Sequence, residues 1–245
     1  MADEIIAIRG VTKTYRMGEQ EIHALRGIDL TIRQGEYVSI MGPSGSGKST
    51  LFNIIGGLDA PTAGEVYVEG CRLADLDSDQ LAWVRCHKIG FIFQTFNLVR
   101  TMTARENVAI ARMFAGIGYD QACVEAEGVL ERVGLGHRLH HLPSQVSGGQ
   151  QQRIAIARAL VNKPLIILAD EPTGNLDLRT GQDIIDLLNE MKRSLGITVI
   201  TATHDMKMIS ASDMLVRIRS GAIEERLNKE EMDVSIGTID GETVA

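Results

Sequence analysis

The sequence predicts an α/β domain, a mainly parallel β-sheet with helices on its faces, and three observations carry that expectation. Short apolar runs of β type alternate with helical patterns through most of the 245 residues, the arrangement that favours parallel strands joined by helical crossovers. The stretch from about Phe96 to Leu160 lacks strong strands and reads as a helical subdomain inserted in the sheet-bearing core. Gly42–Ser49 fits G-x-x-x-x-G-K-[ST] in full, directly after one predicted strand and before one predicted helix.

The elements follow in order from the changing period of the apolar pattern. Strands are expected at Ile5–Val11, Ile22–Ile32, Tyr37–Met41, Ile89–Phe93, Leu165–Ala169, Thr198–Ala202 and Met214–Ile218. Helices are expected at Ser49–Ile55, Ala104–Phe114, Gln121–Val133, Gly149–Val161 and Thr180–Leu195. Beyond Glu224 the chain turns polar and acidic, so residues 1–228 read as one domain and 229–245 as a short, solvated acidic tail.

Composition removes several function classes. Hydrophobic residues at 44% and charged residues at 23% are ordinary for a folded domain and argue against disorder. The longest apolar stretches, Leu165–Ala169 and Ile197–Ile200, fall far short of the roughly 20 residues that cross a bilayer. The acidic start Met1–Glu4 lacks the basic and apolar regions of a secretory signal, so the chain is expected to stay in the cytoplasm. Cys71, Cys86 and Cys123 are odd in number and lie at no metal-ligand spacing, which predicts reduced thiols. A net charge of -7 speaks against attraction to nucleic-acid backbones, and no nucleic-acid partner is expected.

In the phosphate-binding segment, Gly42, Gly45 and Gly47 let the backbone bend tightly and turn its amides toward one anion, and the positive end of the next helix adds to the attraction. Lys48 supplies a point charge for the outer phosphates, and the Ser49 hydroxyl can join a magnesium shell. Ser44, Ser46 and Thr50 complete the candidate nucleotide-binding set. Alone, this loop says only that the chain binds a nucleoside triphosphate, because kinases, GTPases and motor proteins share it.

Leu165–Ala169 is an apolar strand that ends in Asp170 and Glu171, which puts two carboxylates at the mouth of a sheet. Neighbours on a strand alternate faces, so Asp170 can face a magnesium shell while Glu171 addresses a water in line with the γ-phosphate. Upstream, Val146-Ser147-Gly148-Gly149-Gln150-Gln151-Gln152-Arg153 opens a helix through small residues, with Ser147 as its N-cap and amides pointing outward. That is a second anion site.

The stretch from Val146 to Arg153 resembles the signature of the ABC (ATP-binding cassette) superfamily, a motif far more specific than the phosphate loop. The resemblance covers about Ile5 to Arg226 and implies a P-loop NTPase core of RecA-like type. It also implies an N-terminal antiparallel β subdomain and the inserted helical subdomain at about 96–160. ATP and magnesium are the implied ligands, and ATP hydrolysis is the implied reaction. The implied partner is a second copy of the chain, arranged head to tail so that each nucleotide lies between the loop of one copy and Ser147, Gly148, Gly149 and Gln150 of the other.

Further roles are carried over on the same resemblance. Tyr15 looks like the aromatic that stacks on adenine, and Gln94 like the glutamine that reaches the magnesium and the attacking water. Asp177 sits where the family has an acidic residue crossing the dimer interface, and His204 where it has a histidine that contacts the γ-phosphate. His137, His140 and His141 match no such position and are expected to face solvent without metal. Val146 stands where leucine is usual, and Gly174-Asn175-Leu176-Asp177 where many cassettes have Ser-Ala-Leu-Asp.

Glu171–Asp177, Gly90–Leu98 and Gln150–Arg153 together are similar to the MacB, LolD and FtsE group. That implies a cassette on the cytoplasmic face of the inner membrane, serving a separate MacB-, LolC-, LolE- or FtsX-like permease. The expected work is export or lipoprotein extraction driven by dimer closure. Regulation of cell-wall hydrolysis without transport, as in FtsE, is an alternative, and a soluble cassette acting outside transport is another.

Overall fold

The structure is a computed structural model that describes residues 4–18, 20–232, 234–235, 238–239 and 242–243. Strands β1 (Glu4–Met17), β2 (Gln20–Arg33) and β3 (Tyr37–Met41) lead into helix α1 (Lys48–Ile55), β4 (Ala63–Val68), β5 (Cys71–Arg72) and α2 (Ser78–His87). Next come β6 (Ile89–Ile92), helices α3 (Ala104–Phe114), α4 (Tyr119–Arg132) and α5 (Gly148–Leu160), and β7 (Ile166–Asp170). The chain continues through α6 (Leu178–Leu195), β8 (Thr198–Ala202), α7 (Met206–Ala211), β9 (Met214–Arg219) and β10 (Ala222–Asn228). It closes with β11 (Val234–Ser235), β12 (Thr238–Ile239) and β13 (Glu242–Thr243), which pair antiparallel in sequence. These elements form two compact units, residues 1–81 with 198–245, and residues 82–197.

In the first unit, β2-β1-β4-β5 make an antiparallel sheet. Its amphipathic register is plain in β2, where Leu25, Ile28, Leu30 and Ile32 are buried while Arg26, Asp29, Thr31 and Arg33 face out. The alternation of buried positions along β2 shifts between Leu25 and Ile28, where Gly27 at φ 80° takes a left-handed conformation open to glycine. The order β10-β9-β3-β8 then places β3 between two parallel neighbours. Val38, Ile40, Val199 and Ile200 are wholly buried, as befits strands covered on both faces. Helix α1 packs on β2, β4 and β8 and buries Leu51, Ile54 and Ile55, each stabilising the fold by about 1.5–3 kcal/mol.

In the second unit, β6 and β7 pair in parallel, with Ile89 opposite Ile166. Helix α5 lies directly on β6, since a Cβ at Gly90 would stand 2.5 Å from the Ala159 carbonyl oxygen. Helices α3, α4 and α5 pack on one another, and α3 opens with a reciprocal capping box between Thr103 and Glu106. Buried Asn107 ties down the segment before α3. Its amide nitrogen donates to the Val99 and Met102 carbonyls, and its oxygen accepts from the Val99 amide.

The α/β class and the helical insertion are as the sequence predicts, and the antiparallel subdomain is as the resemblance implies. Strands β1 and β2 run well past their apolar stretches because their polar ends pair with each other, as at Arg16 and Glu21. Of the expected tail, Lys229 still donates to the Asp213 carbonyl, and Met232 packs against Ile209 and Leu215. Residues 233, 236–237, 240–241 and 244–245 lie outside the described residues.

Candidate functional site

The sequence-predicted site residues fall into two groups, one on each unit. On the first, the chain leaves β3 at Met41, turns through Gly42–Gly47 and enters α1 at Lys48. Gly45 and Gly47 have φ 78° and 105°, a left-handed region where an L side chain is strained. Space reinforces the requirement at Gly42, where a Cβ would meet the Ile218 carbonyl oxygen at 2.2 Å and Ser46 Oγ at 2.6 Å. The loop is braced from behind: the Gly221 amide donates to the Ser46 carbonyl at 3.0 Å, and the Arg26 amide to the Gly221 carbonyl at 2.7 Å.

Inside this turn the polar groups suit an anion. Lys48 Nζ arches over the loop, donating to the Gly42 carbonyl at 2.6 Å and the Pro43 carbonyl at 3.0 Å. Helix α1 has no side-chain cap and no acidic residue in its first turn, so its leading amides meet no local carboxylate. Ser46 is buried and its hydroxyl has no hydrogen-bond partner among the described residues. An orphaned hydroxyl in such a cradle is what a phosphate oxygen would satisfy. Ser44 and Ser49 are exposed at the loop's rim and Thr50 is half-buried.

Tyr15, near the end of β1, donates its hydroxyl to Asp59 at 2.8 Å, and Lys13 Nζ stands 4.9 Å from its ring centroid. Burial and then the Asp59 carboxylate raise the Tyr15 pKa, while an interaction with Thr50 in the first turn of α1 lowers it. His204 follows β8 and is exposed. The Thr203 amide donates to the Ile40 carbonyl at 3.1 Å, so His204 leaves the sheet beside the end of β3, from which the phosphate loop also departs.

On the second unit, β7 delivers Asp170 and Glu171. Glu171 stands at φ 44°, a conformation that costs a β-carbon-bearing residue about 1–2 kcal/mol. Gln94, just past β6, comes to the same place: a Cβ on Gly174 would lie 2.8 Å from Gln94 Nε2 and 3.3 Å from Glu171 Oε2. Backbone ties fix both partners. The Gly174 amide donates to the Glu171 carbonyl at 3.1 Å, and Asn175 Nδ2 to the Gln94 carbonyl at 2.8 Å.

Ser147 is the N-cap of α5, accepting from the Gln150 amide at 3.3 Å while Gln150 Oε1 accepts from the Ser147 amide at 3.0 Å. The Gln150 side chain is thereby turned back onto the start of the helix. A Cβ on Gly148 would stand 3.6 Å from Leu176 Cδ2 and 3.9 Å from Phe96 Cζ, and one on buried Gly149 would stand 2.2 Å from Thr180 Cγ2. Asp177 caps α6, accepting from the amides of Arg179 and Thr180 and from the Thr180 hydroxyl. The Thr180 hydroxyl and the amides hold the Asp177 carboxyl below the usual carboxylate range.

Among the described residues, no group of three or more His, Cys, Asp or Glu side chains could hold a metal ion. Ser49 on the first unit, and Gln94 and Asp170 on the second, each carry an oxygen donor of the kind magnesium takes.

The comparisons with known proteins decide the family. A model described as ABC transporter matches residues 25–174. The chain belongs to the ABC transporter family. As a member it is an ATP-binding cassette and an ATPase. It is 49% identical over 221 residues to an ABC transporter ATP-binding protein of Thermotoga maritima, covering 90% of the cassette and 94% of that protein. It is 48% identical over 227 residues to the macrolide export ATP-binding/permease protein MacB of Bdellovibrio bacteriovorus, of which the match spans 34%. The cassette superposes with TM-score 0.85 and 46% identity on cassette MJ0796 of Methanocaldococcus jannaschii, solved as a dimer in a post-hydrolysis state bound to ADP and Pi. That alignment covers 91% of this chain and 98% of MJ0796. No helix among the described residues is long and apolar enough to cross a membrane.

Sequence reasoning missed Lys13, Asp59, Gly174 and Arg158. Arg158 Nη1 and Nη2 donate to the carbonyls of Asn97 and Phe96 at 2.6 and 2.8 Å. Both carbonyl-bearing residues have positive φ, at 49° and 61°. No local pattern announces a guanidinium whose partners lie about sixty positions away.

Proposed function

We propose that this cassette is the energy subunit of a MacB/LolD-like complex, driving export or lipoprotein extraction through a separate permease from the cytoplasmic face of the inner membrane. In this reading two copies meet head to tail, and each ATP lies between the loop of one copy and the Ser147-capped helix start of the other. Lys48 and the loop amides hold the β- and γ-phosphates, and Tyr15 stacks on the adenine. Ser49, Asp170 and Gln94 would hold magnesium, which when bound draws charge from the phosphoryl oxygens. Glu171 takes a proton from the attacking water, Gln94 orients that water, and His204 donates to the γ-phosphate. Asp177 stands at the dimer interface, held there by its cap on α6.

The observation that carries hydrolysis is the strained Glu171 beside Gln94, because strain of this kind persists where the surroundings over-determine a working geometry. The MacB/LolD assignment is supported by the 48% identity to MacB of Bdellovibrio bacteriovorus and by Glu171–Asp177 and Gly90–Leu98. ATP must bind the closed dimer better than the open one, since only differential affinity moves that equilibrium.

The experiment is to purify tagged Glu171→Gln with ATP from detergent-solubilised native membranes, to measure its oligomeric state by light scattering, and to identify co-purifying proteins by mass spectrometry. An ATP-dependent dimer carrying a multi-span protein with a large extracytoplasmic domain is the expected result. Recovery of soluble proteins alone would remove the transport reading, and ATPase rates equal to wild type would remove Glu171 as base.

A further inference from the structure

Two side chains outside the phosphate loop, Asp59 and Lys13, converge on Tyr15. Asp59, in the connection after α1, accepts from the Tyr15 hydroxyl at 2.8 Å and from Lys13 Nζ at 2.6 Å. Lys13 Nζ also donates to the Ala60 carbonyl at 2.7 Å and sits 4.9 Å from the Tyr15 ring centroid. The connection itself is stitched to β1, with the Thr62 amide donating to the Thr12 carbonyl at 2.8 Å and Thr62 Oγ1 accepting from the Thr14 amide at 3.0 Å. Its other end is pinned to α1, where the Leu58 and Asp59 amides both donate to the Asn53 carbonyl.

We propose that Asp59 is a positioning residue for nucleotide recognition, locking the Tyr15 ring, with Lys13 against one face, so that the opposite face is presented to a purine base. This rests on the reading of Tyr15 as the base-stacking aromatic and adds how that ring is held. A tyrosine 36% exposed near a strand end would otherwise sample several rotamers, and a ring that is aligned only part of the time binds the base in proportion. Asp59 reduces the choice to one, because its carboxylate engages the hydroxyl and the ammonium together. Burial opposes its charge, yet the hydrogen bonds from Lys13 and Tyr15 outweigh burial and hold its pKa below the ordinary value. The lysine adds a cation on one ring face, which restricts stacking to the other. The clamp also ties base to phosphates, since Asp59 hangs from the C-terminal end of the same helix whose N-terminus carries Lys48 and Ser49.

The test measures steady-state ATPase parameters of the full chain as wild type, Asp59→Asn, Tyr15→Phe, Tyr15→Ala and Tyr15→Ala/Asp59→Asn, with inhibition by inorganic tripolyphosphate as a base-free probe of the loop. Asp59→Asn and Tyr15→Phe should each raise KM for ATP on the order of fivefold, with kcat within about twofold, as the aligned population falls. Tyr15→Ala should raise KM further, adding Asp59→Asn to it should change nothing more, and tripolyphosphate inhibition should stay constant throughout. An unchanged KM in Asp59→Asn beside a raised KM in Tyr15→Ala overturns the clamp and leaves base stacking intact. An unchanged KM in Tyr15→Ala removes the stacking reading and the clamp with it. Equal effects of Asp59→Asn with and without the Tyr15 ring, or weakened tripolyphosphate inhibition, would mean that Asp59 acts by another route. If Asp59→Asn fails to fold, Tyr15→Phe decides alone, and a wild-type KM there overturns the proposal.

Discussion

The Gln94 amide and the Glu171 carboxylate lie against the same face of Gly174, so close that a single added Cβ would contact both, at 2.8 and 3.3 Å. Their juxtaposition depends on a missing methyl group. Gly174→Ala should therefore lower kcat by about 10–100-fold through displaced reacting groups while leaving the melting temperature nearly unchanged, because position 174 is exposed. Parallel thermal melts and ATPase assays check this, and a wild-type kcat would show that the two side chains move aside without consequence.

Glu171 at φ 44° sets function against stability. Replacing it with glycine should relieve the backbone strain and stabilise the chain by up to about 1 kcal/mol, while turnover falls by about 100-fold or more with loss of the base. Glu171→Gln should lose turnover equally with no gain in stability, since glutamine bears the same strain. Denaturant midpoints of the two variants separate the effects.

Gly149→Ala should destabilise by about 1–3 kcal/mol through overpacking, because its Cβ would stand 2.2 Å from Thr180 Cγ2. Adding Thr180→Ser removes that methyl and keeps the hydroxyl that bonds Asp177 at 2.6 Å. The double variant should recover most of the lost stability in urea unfolding, and additive losses would place the clash elsewhere.

Asp177 makes the stability of α6 depend on acid pH in a direction that can be worked out. Its folded pKa is depressed by the Thr180 hydroxyl and the capped amides, so the cap is fully effective above the unfolded value of about 4 and is lost as pH falls through the lower folded value. Asp177→Ala should melt a few degrees below wild type at neutral pH, and the gap should close as pH falls through the lowered folded value. A gap that stays constant across this range would mean the carboxylate charge contributes nothing to the cap.

Helices with strong 3.6-residue periodicity were legible in the sequence. Ala104–Phe114 has the expected bounds, and α5 is displaced by one residue at each end. The central strands were legible for a related reason, since β3 and β8 are buried on both faces and read as unbroken apolar runs. By contrast β10 carries Glu224, Glu225 and Arg226 at an edge, and α2 buries no residue, so neither leaves a hydrophobic period to detect. The phosphate loop, the carboxylates and the Ser147 cap were legible because their chemistry is local in sequence. The partners that orient them were not. Asp59 reaches Tyr15 across 44 positions and Arg158 reaches Phe96 across 62, distances over which only the fold brings residues together.

Those bonds in the second unit have a mechanical consequence. Arg158 grips the Phe96 and Asn97 carbonyls from α5, Asn175 grips the Gln94 carbonyl, and buried Gln152 donates to the Pro172 carbonyl at 2.7 Å. Each link runs between a side chain and a backbone oxygen, and together they tie residues 94–97, α5 and the turn after Glu171 to one another. A displacement applied at Phe96 would therefore load the same four hydrogen bonds that hold Gln94 and the turn after Glu171.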